Sequence, residues 1–179
     1  MTLKSSYTLL ELCVVLAIIT LLCLLGVPMI VNHDEYSILR ELEKLEAICM
    51  YLHQRAIATQ KDHELIIDTQ QNMYAYTITA HKALFRLPDA IIFGWLPSAL
   101  GPPGNPIAPI TQECSFPKLN GQNHSHIVKF IANGQFYPGT LYLTDRKRRF
   151  MGALTCSISR VFYIRKYLYK SGQWLVQAT

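Results

Sequence analysis

The stretch Lys4–Val31, KSSYTLLELCVVLAIITLLCLLGVPMIV, decides how the chain is read. A short basic-polar leader runs into an apolar block, and from Leu12 to Val31 no residue carries a charge. At about 1.5 Å per residue a helix of that length covers roughly 30 Å, the thickness of a bilayer's hydrocarbon core. One carboxylate, Glu11, stands at the front edge of the block. Driven to the bilayer centre it would cost about 2.5–3.5 kcal/mol. A cleaved secretory signal has an apolar core of about 7–15 residues followed by a small-residue cut site. This core is longer, and the polar Asn32-His33-Asp34-Glu35 leads straight into another helical pattern. A plain single-pass anchor explains the length and leaves Glu11 without a purpose.

Beyond the block, apolar residues recur three or four apart at Ile38, Leu42, Leu45, Cys49, Leu52 and Ala56. Glu35, Arg40, Glu41, Lys44 and Arg55 fall on the other face, so the spacing predicts an amphipathic helix over 32–60. Gly26 and Pro28 predict a bend, because proline removes a helix hydrogen bond and crowds the preceding turn. The expected element is one rod, apolar all round in 7–31 and apolar on one stripe in 32–60. The stripe calls for a sheet. Segments 64–69 and 73–79 are β-rich and joined by Gln70-Gln71-Asn72, as in a hairpin. Further strands are predicted at 90–95, 127–132, 140–144, 151–159 and 161–169, with Asn133-Gly134 as a turn signal. Between them, 97–124 is a long Pro/Gly-rich loop of the kind that is usually functional or poorly ordered. The fold class is therefore α+β: a long N-terminal helix packed on an antiparallel β-sheet domain that occupies 61–179.

The chain has 179 residues and formal net charge +5, and half of its residues are hydrophobic. The charge is unevenly spread. Residues 33–117 hold six Lys/Arg against ten Asp/Glu, whereas 118–179 hold ten against one, Asp145. Such asymmetry suits either an anionic partner for the C-terminal part or a solvated basic face. Cys13 and Cys23 act as small apolar residues in the block, and Cys49 falls on the helical stripe. Cys114 and Cys156 are candidates for one disulfide in an oxidising compartment. No C-x-x-C pair argues for zinc. His124-Ser125-His126 lacks a third ligand and reads as a solvated turn. Gly101-Pro102-Pro103-Gly104 offers too few N–H groups for a phosphate loop. Tyr163, Tyr167, Tyr169 and Trp174 read as strand packing. No nucleophile–base pattern argues for an enzyme, and no cofactor or metal is implied.

The segment SSYTLLEL resembles the N-terminal processing motif of type IV prepilins and pseudopilins. In that family a peptidase cuts before the apolar block, the new N-terminus is methylated, and a glutamate follows four residues on. The resemblance places the cut between Ser6 and Tyr7, makes residues 1–6 the leader, and makes Tyr7 the methylated terminus. Ser6 stands where the family usually has glycine, and Tyr7 where it has phenylalanine. Glu11 takes the place of the assembly glutamate, which pairs with a neighbouring subunit's terminal amine, and Pro28 that of a helix-kinking proline. The segments HQRAIATQKDHELIID, IVKFIANGQFYPGTLYLT and GALTCSISRVFYIRKY resemble the GspH/FimT-type minor pseudopilins.

The resemblance implies a structural subunit of a type II secretion pseudopilus, active in fibre initiation or extension and protein export. It implies an inner-membrane helix with a periplasmic domain. The partners it implies are other major and minor pseudopilins, the prepilin peptidase and the inner-membrane assembly platform. Two alternatives stay open. One is a FimT-type minor pilin that binds DNA in natural transformation through Arg146, Lys147, Arg148, Arg149, Arg160, Arg165 and Lys166. The other is an unprocessed, membrane-tethered binding domain.

Overall fold

The computed structural model describes the backbone of residues 8–31, 33–78, 81–101, 104–105, 107–119, 122–157 and 162–177, and the side chains of these except 23–31 and 33–34. It divides into two compact units, Met1–His33 and Asp34–Thr179.

In the first unit, α1 (Leu9–Val31) stays helical through Gly26 and Pro28. Its side chains from Leu9 to Leu22 are all exposed, Leu9 at 82% and Leu22 at 63%. Residues 9–22 cover about 21 Å at 1.5 Å per residue. Among the described residues, no helix is long and apolar enough to cross a membrane. The described helical residues run 9–31 and 33–59; Asn32 lies outside the described residues, and with it the expectation of one continuous rod.

The second unit begins with α2 (His33–Thr59), whose own first residue belongs to the first unit. Its stripe behaves as the spacing predicts: Ile38, Leu42, Leu45, Cys49, Leu52 and Ala56 are each at most 1% exposed. Fully burying a Leu or Ile side chain stabilises by about 1.5–3 kcal/mol, so this stripe dominates the helix's attachment. Among the described residues nine strands follow: β1 (His63–Asp68), β2 (Met73–Ile78), β3 (His81–Arg86), β4 (Ile91–Phe93), β5 (Ser125–Phe130), β6 (Gly139–Asp145), β7 (Met151–Cys156), β8 (Ile164–Lys170) and β9 (Gln173–Gln177). They form two antiparallel sheets, ordered β3-β2-β1-β5 and β4-β6-β7-β8-β9. One core joins the α2 stripe to Leu65, Ile67, Val128 and Phe130 of the first sheet and to Leu141, Leu143, Leu154 and Cys156 of the second.

Helix and second sheet approach closely where β7 has no side chain. A Cβ built on Gly152 would lie 2.6 Å from Leu42 Cδ1 and 2.9 Å from Ile38 Cγ2. Farther along, Lys166 Nζ on β8 donates to Glu46 Oε2 at 2.8 Å, with both side chains under a tenth exposed. Near the start of the helix, Lys170 meets Glu35 at 3.3 Å. The helix thus runs along β7 and β8, with its first turns at the β6–β7 turn end of the sheet.

The long loop is a cover. Leu96 and Ala99 pack with Tyr142, Met151 and Ala153 on the sheet face opposite the helix, flanked by Trp95, Ile110, Tyr167, Tyr169 and Trp174. Trp174 Nε1 donates to Leu100 O at 2.8 Å. Gly101, at φ +147°, would set a Cβ 2.5 Å from that indole nitrogen, so this crossing needs glycine. Among its described residues 97–124 holds none of the nine strands, as a loop should; Ala99 and Ile110 pack on apolar sheet surface, while Ile107 is 83% exposed.

Candidate functional site

Two features stand out: the head of α1 and the basic residues of the C-terminal half. At the head of α1, Glu11 has a local partner. Thr8 N and Thr8 Oγ1 donate to Glu11 Oε2 at 3.0 and 3.2 Å, and Glu11 N donates to Thr8 Oγ1 at 3.3 Å. This is the reciprocal capping box, which satisfies helix N–H groups that have no intrahelical acceptor. The signal lay in the sequence as Thr-x-x-Glu ahead of an apolar run. Ser6 and Tyr7 lie outside the described residues, as does the leader. The side chains around Gly26 and Pro28 do so too.

The seven basic residues do not form one surface. Arg146, Lys147, Arg148 and Arg149 are exposed in the β6–β7 turn. Asp145, 2% exposed, organises that turn: its Oδ1 accepts from Arg149 N at 2.6 Å and Phe150 N at 2.8 Å. Burial raises the Asp145 carboxyl's pKa, but these two N–H groups and the Arg149 guanidinium outweigh it and hold the carboxyl below its ordinary range. Arg148 takes φ +52°, the left-handed conformation that closes the turn. Arg146 Nε donates to Asp89 O, tying the turn to the loop before β4.

Arg165 lies elsewhere, exposed on β8 with its guanidinium 4.5 Å from the Tyr163 ring centroid. Lys166 is the correction: it is 6% exposed and paired to Glu46, so it is a core ion pair and not an anion contact. Strand alternation is the cause, since Arg165 and Lys166 must face opposite sides of the sheet. Arg160 lies outside the described residues.

The cysteine pairing is also corrected. Cys114 and Cys156 are buried free thiols. Cys114 bridges Leu141 on one side of β6, whereas Cys156 pairs with Gly139 on the other side. Two strand spacings amount to about 9.6 Å, beyond the roughly 7 Å Cα limit for a disulfide. Burial pushes both thiols up to about 12.

His124 is exposed in a turn as expected, but His126 is 3% exposed on β5, its Nδ1 2.9 Å from Phe116 O. Among the described residues no group of three His, Cys, Asp or Glu is placed to hold a metal ion. A groove of about 540 Å³ lies between the end of α2 and β1, lined in part by Arg55, Thr59, Asp62 and Glu64. Its carboxylates are engaged with Lys129, at 3.1 Å from Asp62 and 3.9 Å from Glu64. No family model, curated protein or solved structure matches this chain.

Proposed function

We propose that the chain is a minor pseudopilin, a structural subunit of the type II secretion pseudopilus that takes part in fibre initiation or extension. The observation that carries this reading is the helix α1, whose apolar side chains from Leu9 to Leu22 are exposed all round behind one carboxylate. Such a surface is costly in water, at roughly 25 cal/mol per Å² of apolar area. It demands lipid before assembly and sister helices after it. The helix-on-sheet architecture of the second unit supports the same reading, as does the SSYTLLEL motif ahead of it.

In this reading the leader is removed after Ser6, Tyr7 becomes the methylated terminus, and α1 holds the subunit in the inner membrane with its domain in the periplasm. On assembly, Glu11 exchanges its Thr8 contacts for a neighbour's terminal amine. The pairing fixes axial register, because a shifted helix leaves a charge unpaired in an apolar bundle. Intact-mass and N-terminal analysis of the natural product tests this. The expected result is a chain beginning at N-methyl-Tyr7. Retention of the first six residues would overturn it in favour of the unprocessed tether.

A further inference from the structure

We propose that the β6–β7 turn, at the end of the second unit where the chain enters it, is a cationic surface that engages anionic phospholipid headgroups. The fold brings this turn, more than a hundred residues downstream of α1, to the end of the second unit at which the chain enters it. Three contacts fix the placement. Lys170 at the end of β8 meets Glu35 in the first turns of α2. Gly152, at the start of β7, lies under Ile38 and Leu42. Met151 pairs with Tyr169. The turn that precedes Met151 therefore projects past the level of Ile38, towards the start of α2. His53, near the far end of the helix, reaches instead to Gly134 O at 3.0 Å, at the opposite end of the unit.

The charges there are largely free to act outward. Arg149 is held by Asp145, and Lys170 by Glu35. Arg146 is anchored to a backbone carbonyl, which carries no formal charge to offset it. Lys147 and Arg148 are exposed and have no side-chain partner among the described residues. Arg86 ends β3, just before the loop that holds Arg146. Asp89 in that loop and Asp68, whose partner Met73 also pairs with Arg86, offset two of these cations, and the remainder is a positive surplus. Basic groups close to a membrane are drawn to anionic lipid over a Debye length. The inference rests on the reading of α1 as membrane-inserted, since one residue separates α1 from α2.

The test uses the full chain reconstituted into vesicles of phosphatidylcholine alone or mixed with phosphatidylglycerol. Amide hydrogen exchange is followed on peptides covering 145–151, and insertion is checked by resistance to alkaline extraction. The expected result is exchange several-fold slower in the anionic vesicles, with the difference abolished by high salt. The difference should also vanish in Lys147→Glu/Arg148→Glu, which alters two exposed side chains. Retention in both vesicles with equal exchange overturns this proposal and leaves the reading of α1 standing. Extraction from both overturns that reading and the proposal with it. Slowing by added DNA but not by phosphatidylglycerol assigns the turn to nucleic acid and likewise overturns the proposal.

Discussion

Lys166 and Glu46 hold charge inside the helix–sheet seam, and the sign of their contribution depends on what is removed. Deleting one partner leaves the other buried and uncompensated, which costs about 3–5 kcal/mol. Replacing both by apolar groups of similar volume removes the desolvation penalty together with the attraction. Urea denaturation should therefore show Lys166→Met strongly destabilised and Glu46→Leu/Lys166→Met near wild type. A double variant as unstable as the single one would mean the pair is net stabilising. Asp145 differs, because its partners are mainly backbone N–H groups of its own turn. Its folded pKa is depressed, so its contribution is present above the unfolded value of about 3.9 and is lost as pH falls through the folded one. Asp145→Asn should cost about 1.5–3 kcal/mol at pH 7, in the range for hydrogen bonds to a charged group. The gap in urea midpoint between wild type and variant should close below about pH 4. A gap that stays constant down to pH 3 would count against the charge as its source.

At the scale of elements, the chain was most legible where burial imposes a period. The α2 stripe is the clearest case, because a helix against two sheets must hide one face along its whole length. Strands β1, β2, β6 and β7 were readable as β-branched or aromatic runs flanked by turn residues. Strands β3 and β9 were not. Each is an edge strand, β3 exposed at all but one position and β9 at three of five, so HKALFR and QWLVQ show no alternation that burial would enforce. The head of α1 was read for its charge, while its capping geometry went unread. The two roles are separable, since glutamine also serves at the third position of a capping box. Glu11→Ala should weaken the first turn by about 0.5–2 kcal/mol, on the scale of lost caps, and Glu11→Gln should weaken it far less. If the carboxylate docks a neighbour's amine, both variants should insert into membrane and both should be depleted from purified fibres. Normal incorporation of Glu11→Gln alone would reduce Glu11 to a cap.

For the whole molecule, the limit of the sequence was the third dimension of its charges. Seven basic residues in the last third read as one candidate surface. The fold scatters those it describes among a turn, a sheet face and a buried seam, because neighbours on a strand point opposite ways. The covering role of the long loop was illegible for a related reason: Ala99 and Ile110 are too widely spaced to reveal that they lie on one apolar sheet face. The division into two units follows from where the core lies. Its first member is Ile38, and no described α1 side chain contributes to it. The second unit should thus fold without the first. A chain beginning at Asp34 is expected to keep its near-ultraviolet circular dichroism and a single cooperative thermal transition, with some fraying near Glu35. It is also expected to stay monomeric in water, where the full chain needs detergent or lipid to cover α1. Loss of the cooperative transition on removing residues 1–33 would show that the apolar helix stabilises the domain, and would assign α1 a folding role as well as an assembly one.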